Sequence, residues 1–297
     1  MPILAAKNTK VLIQGITGRE AVAFSKDMID YGTNVVAGVT PGKFGQKVHG
    51  VPVFDSVKQA INETKVDATI VSVPPAMVKE AVFEAIDNEI KLIVIVAERV
   101  PRKDTIEFIE AAKSSNIKII GPNSAGLISP PYLKLGMAGG PAVDVKKAYI
   151  PGNVGILSRS GGMLTEIANL LTNNGIGQET CISVGGDPIV GLNFIDLLPL
   201  FENNLSTKAI VLFSEAGGII EEKLSEYVIN KKVSTPIIAF IAGRFVDDIP
   251  GIRFGHAATI VEGEKGSTKS KIESFKKSGI YVAETFSDIV YKLKEIL

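Results

Sequence analysis

The residues best suited to chemistry in this chain sit at the ends of short apolar runs, among glycines. Two histidines occur in 297 residues, and one is His256, in Arg253-Phe254-Gly255-His256-Ala257-Ala258. The surrounding stretch, residues 243–266, is polar and glycine-rich and carries acids at Asp247 and Asp248. A histidine there has little to pack against and is free to exchange partners, although a loop histidine can also be idle. Glu215 follows the apolar run 209–213 and precedes Ala216-Gly217-Gly218. A carboxylate so placed can accept one ring N–H of a histidine and leave the other nitrogen nucleophilic. It can equally serve as a favourable charge at the start of the following helix.

Three further segments could receive anions. Ser158-Arg159-Ser160-Gly161-Gly162 opens a helix after an apolar run, and hydroxyls with glycines at a helix start can cradle a phosphoryl group. Ser160 alone would explain a plain N-cap, but two glycines exceed what a cap needs. Gly15-Ile16-Thr17-Gly18-Arg19-Glu20 lies between the first run and the first helical stretch. It suits either a phosphate or a tight strand–helix turn, and it is not Gly-x-Gly-x-x-Gly. Lys43, in Val39-Thr40-Pro41-Gly42-Lys43, adds a cation beyond the second run, where it reads as a phosphate contact or a solvated lysine. His49, in a turn before Val51-Pro52-Val53, reads as structural.

These segments need elements to hold them. Near-continuous apolar runs at 11–14, 34–39, 68–73, 92–97 and 117–120 read as strands, as do 154–157, 181–184, 209–213, 237–241 and 280–283. Runs of that kind belong to parallel strands buried on both faces. Helical stretches alternate with them at 21–31, 76–88, 105–115, 164–174, 219–231, 268–278 and 286–297. The pattern predicts an α/β fold with doubly wound parallel sheets in two domains, 1–122 and 153–297. A Gly/Pro-rich connection over 123–152 joins them. Every segment named above then falls at the C-terminal edge of a sheet, where open α/β sheets bind ligands.

Composition narrows the partners. With 32 basic and 32 acidic residues the net charge is zero, so nothing recruits nucleic acid or an anionic membrane surface. The single Cys181 leaves no intrachain disulfide and no cysteine cluster for a metal, and no metal site is expected. Residues 1–10 have no apolar core followed by a cleavage site, and no apolar run approaches the ~20 residues of a membrane span. The expectation is a cytoplasmic protein.

Taken together, Gly15-Ile16-Thr17-Gly18, Gly38-Val39-Thr40-Pro41-Gly42-Lys43, Gly121-Pro122-Asn123, Ser158-Arg159-Ser160-Gly161, Gly185-Gly186-Asp187-Pro188, Glu215-Ala216-Gly217-Gly218 and Gly255-His256-Ala257 carry a resemblance. Essentially end to end, the chain resembles the α-subunit of ADP- or GDP-forming succinyl-CoA synthetase (succinate–CoA ligase). The resemblance implies a Rossmann-like CoA-binding domain followed by a flavodoxin-like ligase domain, with His256 transiently phosphorylated. By position, Thr17, Gly18, Arg19, Glu20, Lys43, Val96, Ala97 and Glu98 would contact coenzyme A. Glu215 would hold the histidine ring, and Asn123, Ser158, Ser160, Gly161, Gly162 and Thr165 would serve phosphate or the acid substrate. It further implies a β-subunit with a nucleotide-grasping domain, in an αβ or α2β2 assembly, that holds ATP or GTP with Mg2+.

Two departures bear on this. Family members usually read Gln-Gly where this chain has Glu20-Ala21, which sets a carboxylate near a polyanionic ligand. Succinate-specific members continue Thr-Leu-Thr-Tyr where this chain has Gly162-Met163-Leu164-Thr165. Ser-Arg-Ser-Gly-Gly-Met, with Lys134-Leu135-Gly136-Met137-Ala138-Gly139-Gly140 upstream, looks more like ATP-citrate lyase and citryl-CoA synthetase, where a larger acid such as citrate would fit. Two other classes remain: an NAD-dependent oxidoreductase, decided by NADH titration, and a non-catalytic CoA-binding regulator, decided by whether His256 takes phosphate.

Overall fold

The computed structural model describes residues 3–248, 256 and 266–297. Gly255, Ala257, Ala258 and most of the histidine stretch lie outside the described residues.

The first half is built from β1 (Lys10–Gln14), α1 (Arg19–Tyr31), β2 (Asn34–Val39), β3 (Lys47–Val48), β4 (Val51–Phe54), α2 (Val57–Glu63), β5 (Ala68–Val71), α3 (Val78–Asp87), β6 (Leu92–Ile95), α4 (Arg102–Ser114) and β7 (Lys118–Ile120). Among the described residues its strands form a seven-stranded sheet in the order β3-β4-β2-β1-β5-β6-β7. The chain winds outward from β1 in both directions, so the order reverses between β1 and β5. Such a switch point leaves a crevice at the carboxyl ends of the strands. Only β3, antiparallel to β4, breaks the parallel pattern. β5 and β6 are buried along their whole length, which matches their unbroken apolar runs.

The second half comprises β8 (Gly126–Ser129), β9 (Leu133–Gly136), α5 (Ala142–Ala148), β10 (Pro151–Ser158), α6 (Gly161–Thr172), β11 (Gln178–Ser183), α7 (Phe194–Glu202), β12 (Ala209–Glu215), α8 (Ile220–Lys231), β13 (Ile237–Ala242), α9 (Thr268–Lys277), β14 (Tyr281–Ala283) and α10 (Asp288–Ile296). Among the described residues its seven strands lie in the order β14-β13-β12-β10-β11-β8-β9. Here the reversal falls between β10 and β12, the flavodoxin-like arrangement. The predicted α/β architecture with doubly wound, mainly parallel sheets is the one observed.

Residues 123–152, expected to be a connection, instead add an antiparallel hairpin to the edge of the second sheet through β8 and β11. The strands of that hairpin are four residues each and every one of those residues is buried. Such short runs between glycines and prolines give no periodicity to read. The hairpin also ties the halves together. The Thr33 hydroxyl donates to the Lys134 carbonyl (2.8 Å) and accepts from the Lys134 amide (3.1 Å). Phe24 and Met28 of α1 share a core cluster with Leu133 and Leu135 of β9. Helix α7 was also unforeseen, since Pro199 lies inside it; an Asn193/Asp196 capping box starts it. Among the described residues no helix is long and apolar enough to cross a membrane.

Candidate active site

Two clefts open at the switch point of the first sheet. One, of about 640 Å³, is lined by Gly18, Arg19 and Glu20 at the start of α1, by Ser72 to Pro75 after β5, by Val96, Ala97 and Glu98 after β6, and by Asn123 and Met137. The other, of about 470 Å³, is lined by Gln14 to Gly18 except Ile16, by Thr40 and Pro41 after β2, and by Met77, Glu80 and Glu84. Gly18, Ser72, Val73 and Pro74 border both, so they form one bent trough. The Thr17 hydroxyl donates to that of Thr40 (3.1 Å), fixing the loop after β1 to the end of β2. Thus the structure brings Thr17, Gly18, Arg19, Glu20, Val96, Ala97, Glu98 and Asn123 to one trough. Lys43 is not among the residues lining either cleft; its amide, with that of Phe44, is held by the Asp55 carboxylate (3.1 Å each). Those contacts fix the backbone of the turn after β2 beside the trough end formed by Thr40 and Pro41.

His256 lies at the switch point of the second sheet. Its Nδ1 is 2.8 Å from Glu215 Oε1, at the end of β12. Its ring rests on Gly186: a Cβ there would stand 2.5 Å from His256 Cδ2, which is why that position has no side chain. The Glu215 hydrogen bond raises the proton affinity of the imidazole above its ordinary value of 6.5. Burial and the nearby Arg159 work against that rise, and Asp187 adds to it.

Around this pair the structure assembles charges that the sequence did not single out. Arg159, 7% exposed, donates from Nη1 to the Gly217 carbonyl (3.2 Å). Its guanidinium lies 4.0 Å from Glu215 Oε1 and 3.8 Å from Glu221 Oε1. Glu221 and Lys271 are both fully buried and paired at 2.6 Å. The Lys271 ammonium also donates to the carbonyls of Glu215 (2.8 Å) and Gly217 (2.6 Å), and the Ser214 hydroxyl donates to Glu221. Burial pulls the Lys271 ammonium below its usual range, while Glu221 resists the change. One trace of this existed in the sequence: Thr268, Lys271 and Phe275 mark the buried stripe of α9, so a lysine occupies a core position.

The turn from β10 into α6 is used differently from what its residue types suggested. The Ser160 hydroxyl accepts from the Met163 amide (3.3 Å) as an N-cap. The Ser158 hydroxyl, fully buried, donates to the Ser160 carbonyl (2.6 Å) and accepts from its amide (3.1 Å), so it shapes the turn. Gly161 is required by packing, since a Cβ would lie 2.4 Å from the Cβ of Ala125. Gly162 is open, with nothing nearer than the Ser160 hydroxyl at 3.9 Å. The Thr165 hydroxyl is paired with that of Tyr149 (2.9 Å). His49, outside all of this, has Nε2 2.8 Å from the Val22 carbonyl, a structural contact.

A short bridge connects the trough to the histidine. Asn123 donates from its backbone to the Ala97 carbonyl (2.8 Å) and from Nδ2 to Asp187 (3.0 Å). Its own carbonyl accepts from the Gly186 amide (3.1 Å), directly beneath the His256 ring. Burial pushes the Asp187 carboxyl upward, against the Asn123 hydrogen bond. A third cleft of about 410 Å³, lined by Arg159, Gly185, Asp187, Asn193, Gly218 and Lys223 among others, opens beside it.

The trough at one switch point and the carboxylate-held histidine at the other are bridged by Asn123, which bonds to Ala97 on one side and to Gly186 and Asp187 on the other. Residues 6–99 match the CoA binding domain and residues 157–280 match the CoA-ligase domain. The chain is 42% identical to succinate–CoA ligase [ADP-forming] subunit alpha 1 of Archaeoglobus fulgidus over 295 residues, covering 99% of this chain and 98% of that one. It is 40% identical over 296 residues to the ADP-forming sulfoacetate-CoA ligase subunit SqwL of an Acholeplasma species, covering 100% and 98%. The chain belongs to the succinate–CoA ligase α-subunit family, and is thus an α-subunit of an acid–CoA ligase that works with a β-subunit. The same fold occurs in Methanosaeta concilii ATP citrate lyase, with a TM-score of 0.91 at 24% identity; that match covers all of this chain and 50% of that one.

Proposed function

We propose that this chain is the α-subunit of a nucleotide-dependent ligase that joins a small carboxylic acid, succinate first, to coenzyme A through phosphohistidine 256. The observation that carries the reading is the 2.8 Å contact from His256 Nδ1 to Glu215. With Nδ1 holding its hydrogen toward Glu215, Nε2 keeps the lone pair, and it attacks the γ-phosphorus of a nucleoside triphosphate held by the β-subunit. The bond to the diphosphate breaks with its electrons. A carboxylate oxygen of the acid then attacks phosphorus and the P–N bond returns its pair to Nε2. Finally the CoA thiolate attacks the acyl carbon, the C–O bond to phosphate breaks, and phosphate departs. Nothing in this sequence asks the protein for more than positioning and donors for the phosphoryl oxygens, which the start of α6 and its open Gly162 offer. The trough supplies the CoA site, with Thr17, Gly18, Arg19, Glu20 and the 96–98 strand end as contacts. The β-subunit would supply the nucleotide-grasping domain and its Mg2+, in an αβ or α2β2 assembly.

A larger acid such as citrate is favoured by one observation: a Cβ built at Gly162 would meet nothing nearer than the Ser160 hydroxyl at 3.9 Å, so that position leaves room. The deciding experiment incubates both subunits with γ-labelled ATP or GTP and then assays acyl hydroxamate formation with succinate, citrate, malate and sulfoacetate. The expected result is base-stable, acid-labile label on His256 and none in His256→Asn. Persistent label in that variant overturns the reading.

A further inference from the structure

The arrangement of charges behind Glu215 deepens the proposed function and rests on it. Arg159 stands almost equidistant between two carboxylates, 3.8 Å from Glu221 and 4.0 Å from Glu215. The imidazole of His256 and the guanidinium of Arg159 both approach the same Glu215 oxygen, Oε1, so they compete for one acceptor. An arginine fork commonly takes a carboxylate in a bidentate pair, and such a pair would draw Glu215 from the ring. We propose that Glu221, fixed by Lys271, is a positioning residue that retains Arg159 on its own side and so leaves the Glu215 carboxylate to His256.

Several features fit that role. Glu221 is wholly buried and cannot turn to solvent, since the Lys271 ammonium and the Ser214 hydroxyl hold its two oxygens. Lys271 at the same time grips the carbonyls of Glu215 and Gly217, so the backbone carrying Glu215 and the carboxylate that restrains Arg159 move together. Arg159 donates to the Gly217 carbonyl from the other side. Two buried cations thus face two carboxylates, which leaves the cluster neutral before the histidine is counted. A buried pair of this kind contributes little net stability, and its retention is better explained by specificity of arrangement.

The test exploits the two histidines. In the full-length α-chain carrying labelled histidine, His256 is titrated by NMR, with His49 as an internal control. Among the described residues, the charged groups that act on His256 include Glu215 from β12, Arg159 from the β10–α6 turn and Asp187 after β11. In Glu221→Gln, which keeps shape and an acceptor for Lys271, Arg159 moves to Glu215. The His256 midpoint then falls by about one pH unit, as expected for a neutralised neighbour within ~4–6 Å. With the β-subunit present, and at a pH above both midpoints where the ring is neutral in either chain, phosphorylation slows ~10-fold at saturating nucleotide while KM for nucleotide holds. Arg159→Gln raises the midpoint. In the double variant Glu221→Gln has no further effect, because its route through Arg159 is gone. An unmoved His256 midpoint in either single variant overturns the proposal, as does an equal shift by Glu221→Gln with and without Arg159. Should wild-type His256 take no phosphate, the function proposed above fails, while the titrations still decide the role of Glu221.

Discussion

The two switch points of this molecule solve different problems. At the first, the trough between β1 and β5 is long, open and bordered by strand ends and backbone, with Arg19, Glu20, Glu80, Glu84 and Glu98 among its lining residues. At the second, one imidazole is held by a buried set of two cations and two carboxylates. A large flexible ligand is recognised by many weak contacts, so no one residue of the trough should matter greatly. A ring that must present one nitrogen in one direction depends on every member of the set that aims it. The same kind of sheet edge thus yields a tolerant site and an intolerant one.

That contrast can be tested from its strongest consequence downward. Glu215→Ala removes the acceptor that fixes the ring, and His256 phosphorylation should fall ~10²–10⁴-fold in a labelling time course. In the wild type the same pair sets a pH dependence. The folded midpoint of His256 lies above its ordinary 6.5, so the imidazolium–carboxylate contact is fully present at low pH and is lost as pH rises through the raised midpoint. Phosphorylation needs the neutral ring, so its rate rises over that same window, measured with pH-jump labelling. A plateau already reached below pH 6.5 would break the comparison.

Lys271→Met should act on stability. It leaves Glu221 buried without its cation, at a cost of about 3–5 kcal/mol seen as a lower Tm. Lys43→Met, an equal change beside the trough, should stay within about 0.5 kcal/mol and leave the CoA Kd unchanged. Gly186→Ala separates the two sites functionally. Its methyl would displace the His256 ring, slowing phosphorylation ~10-fold. CoA binding, read by calorimetry, should not respond. The smallest effect belongs to the trough: Glu20→Gln removes a carboxylate near a polyanion and tightens CoA two- to three-fold, roughly, at low salt, with the gain vanishing at high salt. A tenfold change there would mean that the trough is not tolerant after all.

Much of the fold was legible because buried parallel strands write themselves as unbroken apolar runs, and all ten runs read as strands lie in the two sheets. The hairpin of β8 and β9, helix α2 and helix α7 were not, since short buried segments and a helix with an internal proline carry no period. At the site, His256, Glu215 and the 96–98 strand end stood out by residue type and position at strand ends. Ser158 and Gly161 also stood out, and the structure adds a turn hydrogen bond at Ser158 and close packing of Gly161 against Ala125 that residue type did not announce.

By itself the sequence determined the periodicities, hence two doubly wound sheets, and the residue types gathered at their edges, hence a histidine beside a carboxylate and a glycine-bordered trough. Only the tertiary structure decided what surrounds them. Glu221 and Lys271 are 50 residues apart, and nothing in the sequence pairs them. Whether a charge is a solvated surface group or a buried partner depends on what packs over it, and that is a property of the assembled layers rather than of any local stretch of chain.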